Sequence, residues 1–406
     1  MQARSPQIVL VALVAAGLAL AALWIWAATL LWHTSVPGDL RMPDVEPGSV
    51  FTEAQLDAAH AYDRVIRLDY LLALLLPLVV LGVYARYGAR FLKESAAGRI
   101  GSGMLLAMLG LGLVWLAALP VGLIEVWWQR RHGITKANYL DWIVGSWFGL
   151  GGEFLGISLA ILIVMGLAGW LPRTWWIPGA AVFVGLALLF TFLGGYLTGG
   201  TRIHDRQLVA DGRELARAEG IAPVPLDKVK VSTETTAPNA GATGLGVSRR
   251  IVFWDTILDG RFDRGELRVV LGHELGHHAR NHLWKGVGWY ALFAFPGALL
   301  IALATRRRGG MAAPEAVPLA LFVLVGLSLL ALPFMTAITR HMEVEADWAA
   351  LEATKDPASA ERLFEGFGTS LHTDPEPPTW DYVLFENHPT LLQRIEMARA
   401  WKARQG

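Results

Sequence analysis

Long apolar runs constrain this chain more than any other feature of its sequence. A helix needs roughly 20 apolar residues to cross about 30 Å of hydrocarbon, and seven segments are long enough or nearly so. Tryptophans stand at the ends of several of them, where membrane–water interfaces favour amphipathic rings. These segments predict an all-α polytopic membrane protein with seven transmembrane helices. They cover Ile8–Trp32, Tyr70–Tyr87, Met104–Trp127, Phe154–Trp170, Trp175–Leu197, Val287–Thr305 and Val317–Ile338.

The composition supports a membrane protein and excludes several kinds of site. Charged residues make up 17% of the chain, against about 25% in an ordinary soluble domain. The net charge is +0, so no overall basic field favours nucleic acid as a partner. The chain has no cysteine, which excludes disulfides, thiolate metal sites and cysteine nucleophiles. The sequence therefore predicts the lipid bilayer, and not nucleic acid, as a partner.

Polar stretches divide the chain into four parts. Residues 1–197 hold five spans and an acidic loop at 33–69. The first span is predicted to be a retained anchor, because it is longer than the apolar core of a signal peptide, which is about 7–15 residues. Residues 198–285 form the largest polar region, 286–338 hold spans six and seven, and 339–406 form a C-terminal tail. The largest polar region and the tail flank one pair of spans, so we expect them on the same side of the membrane.

The stretch LGHELGHHAR places three histidines and a glutamate in the largest polar region. Asp263, followed three residues later by Glu266, resembles a capping box, and a helix is predicted from there through His282. On that helix His273 and His277 are one turn apart and project from one face. Their spacing predicts a pair of imidazoles that bind one metal ion.

Glu274 completes the H-E-x-x-H pattern of zinc peptidases. Two imidazoles and one carboxylate leave the fourth position of a tetrahedral zinc ion open to water. Zinc lowers the pKa of water and polarises a scissile carbonyl, while Glu274 takes the proton of the attacking water and passes it to the leaving amine. His278 and His282 form a second i, i+4 pair, but they face about 100° away and no carboxylate lies between them. They are interpreted as flanking polar residues rather than ligands.

A third metal ligand is expected on another element. The stretch RHMEVEADWAAL follows the last span, and Glu343, Ala346 and Asp347 share one side of a helix there. We predict Glu343 as the ligand and Asp347 as the carboxylate that orients a ligand histidine through its free ring N–H. An acidic first turn at a helix N-terminus would explain the same residues without a metal. The presence of both motifs on one side of the membrane favours the metal site.

These residues resemble those of the integral-membrane zinc metallopeptidases typified by the type I CAAX prenyl protease. That family pairs H-E-L-G-H on one helix with E-x-x-A-D after the seventh span, and this sequence has HELGHH and EVEAD. The stretches NAGATGLGVSRRIVFWDTIL, ENHPTLLQRI and RRHGIT also look like parts of the family's sequence. The resemblance is good over the C-terminal half of the chain and weaker over the first five spans.

The resemblance implies a zinc ion bound by the two motif histidines and Glu343, with Glu274 as general acid and base. It also implies that Asn239 and His388 hold the substrate backbone or its developing oxyanion, as a tetrahedral intermediate requires. A Pro-Asn-Ala turn and a loop before a proline are the ordinary explanations of these two residues. Arg340, together with Arg394, is expected either to fix the carboxylates and the tail or to be a surface charge.

A small β element is predicted beside the metal helix. Residues 227–232 and 249–255 alternate in the manner of strands, and an exposed edge there would pair with an extended peptide. A sheet that only braces the helix fits the pattern equally well. The family's Asn-Ala-Tyr is Asn239-Ala240-Gly241 here, so an aromatic wall of the substrate groove is missing. That departure concerns the choice of substrate more than the metal.

Together these features predict a membrane-embedded zinc metalloendopeptidase with a zincin-like catalytic helix in residues 198–285 and its third zinc ligand in the catalytic tail 339–406. Its expected partners are the bilayer and a peptide or membrane-protein substrate, with prenylated CAAX-type substrates among the options. A transporter, or a seven-span scaffold with a structural metal site, is the alternative. A transporter would carry charges deep within several spans, and these are scarce.

The location is predicted from composition and from charges near the span ends. The chain is rich in alanine, glycine and arginine, which indicates a bacterial source and therefore the inner membrane. Lysines and arginines of short loops are almost evenly divided, and they favour only slightly a catalytic region on the cytoplasmic side.

Overall fold

The computed structural model describes residues 6–91 and 97–405 of the chain, and most of them are helical. In chain order the helices are α1 (Pro6–Leu31), α2 (Glu53–Tyr87), α3 (Gly98–Arg131), α4 (Tyr139–Trp170), α5 (Trp176–Leu197), α6 (Arg206–Ala218), α7 (Arg264–Ala279), α8 (His282–Thr305), α9 (Val317–Thr354), α10 (Pro357–Leu371), α11 (Thr379–Leu384) and α12 (Leu391–Gln405). The strands are β1 (Thr201–Arg202), β2 (Leu226–Val229), β3 (Ala240–Thr243) and β4 (Arg250–Trp254).

Six helices of the described part are long and apolar enough to cross a membrane, namely α2, α3, α4, α5, α8 and α9. They account for six of the seven predicted runs, with Trp175 lying one residue before α5. The predicted first span, Ile8–Trp32, is helical as the 26-residue α1, which is not among these six candidates. A helical polytopic membrane protein is therefore confirmed with six candidate spans, and the seventh span stays a prediction.

Polar caps begin two of the spans. The side chain of Thr52 accepts a hydrogen bond from the backbone N–H of Gln55, and the Gln55 side chain accepts one from the N–H of Thr52. Before α4, the side chain of Asn138 accepts from the N–H of Asp141 at 2.8 Å. Each cap satisfies a backbone donor that has no partner inside its own helix. These two helix starts lie on the side of the membrane that carries the large polar region.

The four strands form one sheet in the order β1-β2-β4-β3. β2 and β4 are parallel, while β1 and β3 pair antiparallel to their neighbours. The two segments that the sequence predicts as strands, 227–232 and 249–255, contribute β2 and β4. The prediction that one of them offers an open edge is wrong, because both are inner strands. The edges of the sheet are β1 and β3.

The metal-motif helix α7 begins as predicted and ends earlier than predicted. Asp263 and Glu266 form the capping box, with the Asp263 side chain accepting from the Glu266 N–H at 2.9 Å. The helix ends at Ala279 rather than continuing through His282, because Asn281 takes a left-handed conformation with φ 57°. Asparagine tolerates that conformation better than most residues. A new helix, α8, then enters the membrane.

Helix α9 carries both the last span and the acidic motif in one continuous helix of 38 residues. It packs on α7 through small residues. A Cβ on Gly276 would lie 3.0 Å from the Cβ of Ala349, and a Cβ on Gly272 would lie 3.2 Å from the Cα of Ala350. Glycine at these two positions therefore lets the helices approach closely. The close crossing places the histidines of α7 against Glu343 of α9.

Candidate metal centre

Three side chains from α7 and α9 point their ligand atoms at one position. His273 Nε2 lies 3.0 Å from Glu343 Oε2, and His277 Nε2 lies 3.5 Å from Glu343 Oε1. The two Nε2 atoms are 3.1 Å apart. Ligands at about 2.0–2.2 Å from a tetrahedral zinc ion are separated by about 3.3–3.5 Å. Within the described residues these three groups form a set with the spacing that a single metal ion requires.

The charge and hydrogen bonding of this set also fit a cation. Glu343 Oε2 is buried and accepts no hydrogen bond of good geometry in the described part of the chain, although the Nε2 atoms of His273 and His388 lie 3.0 Å and 3.3 Å away. A buried carboxylate oxygen without a partner is costly unless a cation lies against it. Burial by itself would lower the pKa of His273, but the hydrogen bond to Asp347 and the neighbouring Glu343 raise that pKa to about 10. The local field therefore favours a positive charge at this position.

Asp347 lies where the sequence predicts it, behind the first histidine. Its Oδ1 is 2.8 Å from His273 Nδ1, so the imidazole presents Nε2 toward Glu343. Arg394 of α12 holds the same carboxylate with two hydrogen bonds, of 2.8 Å and 2.6 Å. The guanidinium of Arg394 also lies 4.1 Å from the ring centre of Phe364. The C-terminal helix thus fixes the orientation of His273 through Asp347.

Arg340 contacts the tail rather than the carboxylates. It donates to the backbone carbonyls of Tyr382, at 2.6 Å, and of Glu386. Its guanidinium carbon lies 4.3 Å from the Tyr382 ring centre. The sequence left open whether Arg340 fixes the carboxylates and the tail or is a surface charge, and these contacts support a role in holding the tail. The segment that it holds leads directly to His388.

The remaining predicted residues line one cleft of about 250 Å³, which opens beside the three ligand groups. Glu274 is buried there, next to His273 on α7. Asn239 is exposed at the cleft and immediately precedes β3. His388 is about half exposed, with Nε2 3.3 Å from Glu343 Oε2. The structure therefore brings together the predicted base, both expected donors and the predicted ligand set.

A loop between two spans holds the segment that leads to Asn239. The backbone N–H of Lys136 donates to the Glu234 carbonyl at 2.7 Å, and the Thr236 N–H donates to the Ile134 carbonyl at 2.9 Å. The first residues of this loop belong to the RRHGIT stretch. The loop attaches one wall of the cleft to the membrane helices α3 and α4.

The sequence interprets His282 as a flanking polar residue and does not predict its contact with His277. His282 Nδ1 lies 3.0 Å from Nδ1 of His277, on the side of that ring away from Glu343. The contact depends on the break at Asn281, and asparagine there was the only available signal. His278 points away, with Nε2 3.2 Å from the Arg250 carbonyl, and burial lowers its pKa to about 4.

Comparison with known proteins shows that this chain is similar to peptidases. Residues 202–402 match the model of peptidase family M48. The metalloprotease YhfN of Bacillus subtilis is 24% identical over 404 residues, which cover 90% of this chain and 92% of that protein. The CAAX prenyl protease 1 homolog of Arabidopsis thaliana is 30% identical over 186 residues, 42% of this chain and 43% of that protein. The crystal structure of S. mikatae Ste24p has the same fold, with a TM-score of 0.70 at 17% identity over 93% of this chain and 96% of that one.

Proposed function

We propose that this chain, which is a membrane metallopeptidase of the CAAX prenyl protease type, is a zinc endopeptidase for membrane-associated peptides. The observation that carries the proposal is the convergence of His273, His277 and Glu343 at one edge of a cleft that also contains Glu274. The donor set favours zinc, because two imidazoles and one carboxylate with an open position are typical of catalytic zinc sites. When bound, zinc polarises the scissile carbonyl and makes water a stronger nucleophile.

The residues of this chain supply the remaining chemistry. Glu274 is the general base that takes a proton from the attacking water and the acid that returns it to the leaving amine. It is buried beside His273 and lines the cleft in which the peptide would bind. Asn239 and His388 are the donors that hold the substrate backbone or the oxyanion that forms on its carbonyl. Both side chains are accessible to a bound peptide, and they lie on separate elements that border the cleft.

The edge strand β3 is the proposed binding element for an extended peptide. In its antiparallel pairing with β4, the Trp254 N–H donates to the Asn239 carbonyl at 2.9 Å. Backbone groups alternate along such a pair, so those of Ala240 and Ala242 point away from β4. These groups are available to a substrate strand, which gains main-chain hydrogen bonds by strand addition. A Cβ on Gly241 would meet no atom within 4 Å, so this part of the groove is open.

The membrane helices support a substrate that is itself bound to the bilayer. Helices α4, α5, α8 and α9 line a cavity of about 570 Å³ whose walls are almost entirely apolar, including Phe183, Phe293 and Phe334. Such a cavity accommodates an acyl or prenyl chain better than a polar peptide. We further propose that α1 is a seventh span, that the protein resides in a bacterial inner membrane, and that its catalytic side is cytoplasmic. The balance of basic residues near the span ends supports that orientation.

Replacement of Glu274 by glutamine tests the function. The purified full-length chain is loaded with Zn²⁺ in detergent and given a membrane-anchored peptide library, with cut sites mapped by mass spectrometry. Glu274→Gln is expected to keep one zinc per chain and to lose about 10²–10⁴-fold in cleavage rate. Glu266→Gln is the matched control, because glutamine also completes a capping box on the same helix.

The same assay separates the alternatives. If Glu274→Gln cleaves the peptides as fast as the wild type does, Glu274 is not the general base. Zinc binding without any cleavage, in the wild type as in the variant, favours a transporter or a scaffold with a structural metal. A matched pair of farnesylated and unmodified peptides shows whether the lipid contributes to KM.

A further inference from the structure

A chain of hydrogen bonds leads from His277 away from the ligand position. His277 Nδ1 is 3.0 Å from His282 Nδ1, and His282 Nε2 is 3.0 Å from Glu345 Oε2. The side chains of His282 and Glu345 are only 3% and 2% exposed. Lys285 donates to Glu345 Oε2 at 2.9 Å, and the backbone N–H of Ser35 donates to Glu345 Oε1 at 2.6 Å.

The proton positions along this chain follow from its two ends. A histidine that binds a metal through Nε2 keeps its proton on Nδ1. The Nδ1 atom of His282 must therefore accept, so the neutral His282 ring has its proton on Nε2. That proton is donated to Glu345, which is held as an acceptor by Lys285 and Ser35. This is the one arrangement of protons in which every donor of the hydrogen-bond series from His277 to Glu345 meets an acceptor.

We propose that His282 and Glu345 are positioning residues for His277, and that the loop after α1 takes part through Ser35. The inference rests on the proposed function, because it takes His277 as a metal ligand. Lys285 also donates to the His33 carbonyl at 2.9 Å, so this loop is attached at His33 as well as at Ser35. The two histidines of the metal motif are then oriented differently. His273 bonds directly to a carboxylate, whereas His277 reaches one through a second imidazole.

Zinc affinity of the full-length chain, measured by competition with a chromogenic chelator, tests the role of His282. Loss of such an outer partner typically costs about 10- to 100-fold in metal affinity. His282→Phe is expected to show a loss of that size, because the His277 N–H then has no acceptor. His282→Asn is expected to recover most of the affinity, since an amide oxygen lies close to the position of Nδ1. The visible spectrum of the Co²⁺-loaded protein should change in His282→Phe and return toward the wild type in His282→Asn.

His278→Asn is the matched control, because His278 is a buried histidine on α7 whose Nε2 contacts the Arg250 carbonyl, away from Glu343. It is expected to lower the unfolding temperature and to leave zinc affinity unchanged. An equal loss of affinity in His278→Asn and His282→Phe would overturn the proposal, since general packing would then explain both.

The role of the loop is tested by a pair of substitutions at Ser35. Ser35→Pro removes the N–H that reaches Glu345, whereas Ser35→Ala keeps it and removes only the hydroxyl that Arg280 contacts at 3.1 Å. We expect weaker zinc binding in the proline variant alone. This pair also tests the chain of hydrogen bonds if His282→Phe does not fold.

Failure of this inference is distinguishable from failure of the proposed function. A wild type that neither binds zinc nor cleaves peptides contradicts the function itself. A wild type that does both, with unchanged zinc affinity in His282→Phe and Ser35→Pro, contradicts only the positioning role.

Discussion

Replacement of Gly276 by alanine tests whether the crossing of α7 and α9 sets the metal geometry. The added Cβ would lie 3.0 Å from the Cβ of Ala349 and 3.4 Å from the Cα of Ala346. Carbon atoms in ordinary contact are about 3.5–4.0 Å apart, so the helices must separate by a few tenths of an ångström. The displaced backbone belongs to the residue next to His277. Metal–ligand distances tolerate only about ±0.2 Å, so the ligand set cannot absorb this movement without distortion.

The substitution is expected to lower both stability and activity. Overpacking a helix contact costs about 1–3 kcal/mol. Alanine in place of glycine within a helix returns about 0.5–1 kcal/mol. The net loss is therefore roughly 0–2.5 kcal/mol from these two ranges, and the protein should still fold. A misplacement of about 1 Å at a catalytic group can lower the rate about 100-fold, so a shift of a few tenths of an ångström should lower kcat/KM by roughly 3- to 10-fold.

The assay combines peptide cleavage, zinc affinity and thermal unfolding of the same detergent-solubilised samples. Gly149→Ala, in α4, is the control, because a Cβ there meets nothing within 4 Å. That variant should match the wild type in all three measurements or unfold at a slightly higher temperature. Wild-type zinc affinity and cleavage in Gly276→Ala would refute the argument that close helix packing fixes the metal site.

Three further predictions concern residues around the site. Asp347→Asn removes the charge that holds the Nδ1–H of His273, so zinc affinity should fall about 10- to 100-fold by chelator competition. Gly241→Tyr fills open space and should leave the unfolding temperature unchanged while it shifts the mapped cut sites; identical cut sites would count against β3 as the substrate edge. Burial raises the pKa of Glu219 to about 7 from 4.5, so the folded protein holds that proton more tightly than the unfolded chain. The resulting stability is complete below pH 4.5 and is lost as the pH rises through about 7. Unfolding temperatures across this range should decline less in Glu219→Gln than in the wild type, and parallel curves would contradict the assignment.

The sequence predicts the parts of this fold that depend on strong local signals. Long apolar runs identify six spans, because lipid leaves a continuous helix as the only way to satisfy their backbone. The capping box at Asp263 likewise begins α7 as predicted, since its two reciprocal hydrogen bonds are local. The spacing of His273 and His277 indicates one face of one helix. These features need no knowledge of the rest of the chain.

Other features depend on where distant elements meet, and the sequence alone does not predict them. β3 has the sequence AGAT, with no alternation and no large β-branched side chain beyond one threonine, so nothing marks it as a strand. It becomes one by pairing with β4. The order of strands in the sheet decides which edge is open, and that order cannot be read from local patterns. For this reason the sequence predicts an open edge at 227–232 or 249–255, whereas these segments form the inner strands β2 and β4.

The break at Asn281 shows how one backbone conformation changes which residues cooperate. On a continuous helix, five residues correspond to about 500°, so His282 would lie about 140° around the axis from His277. The two rings could not then touch. The left-handed turn at Asn281, with φ 57°, ends α7 and starts α8 so that the two Nδ1 atoms lie 3.0 Å apart. The same turn directs α8 into the membrane, so one residue determines both where the chain enters the bilayer and where His282 lies beside the predicted ligand His277.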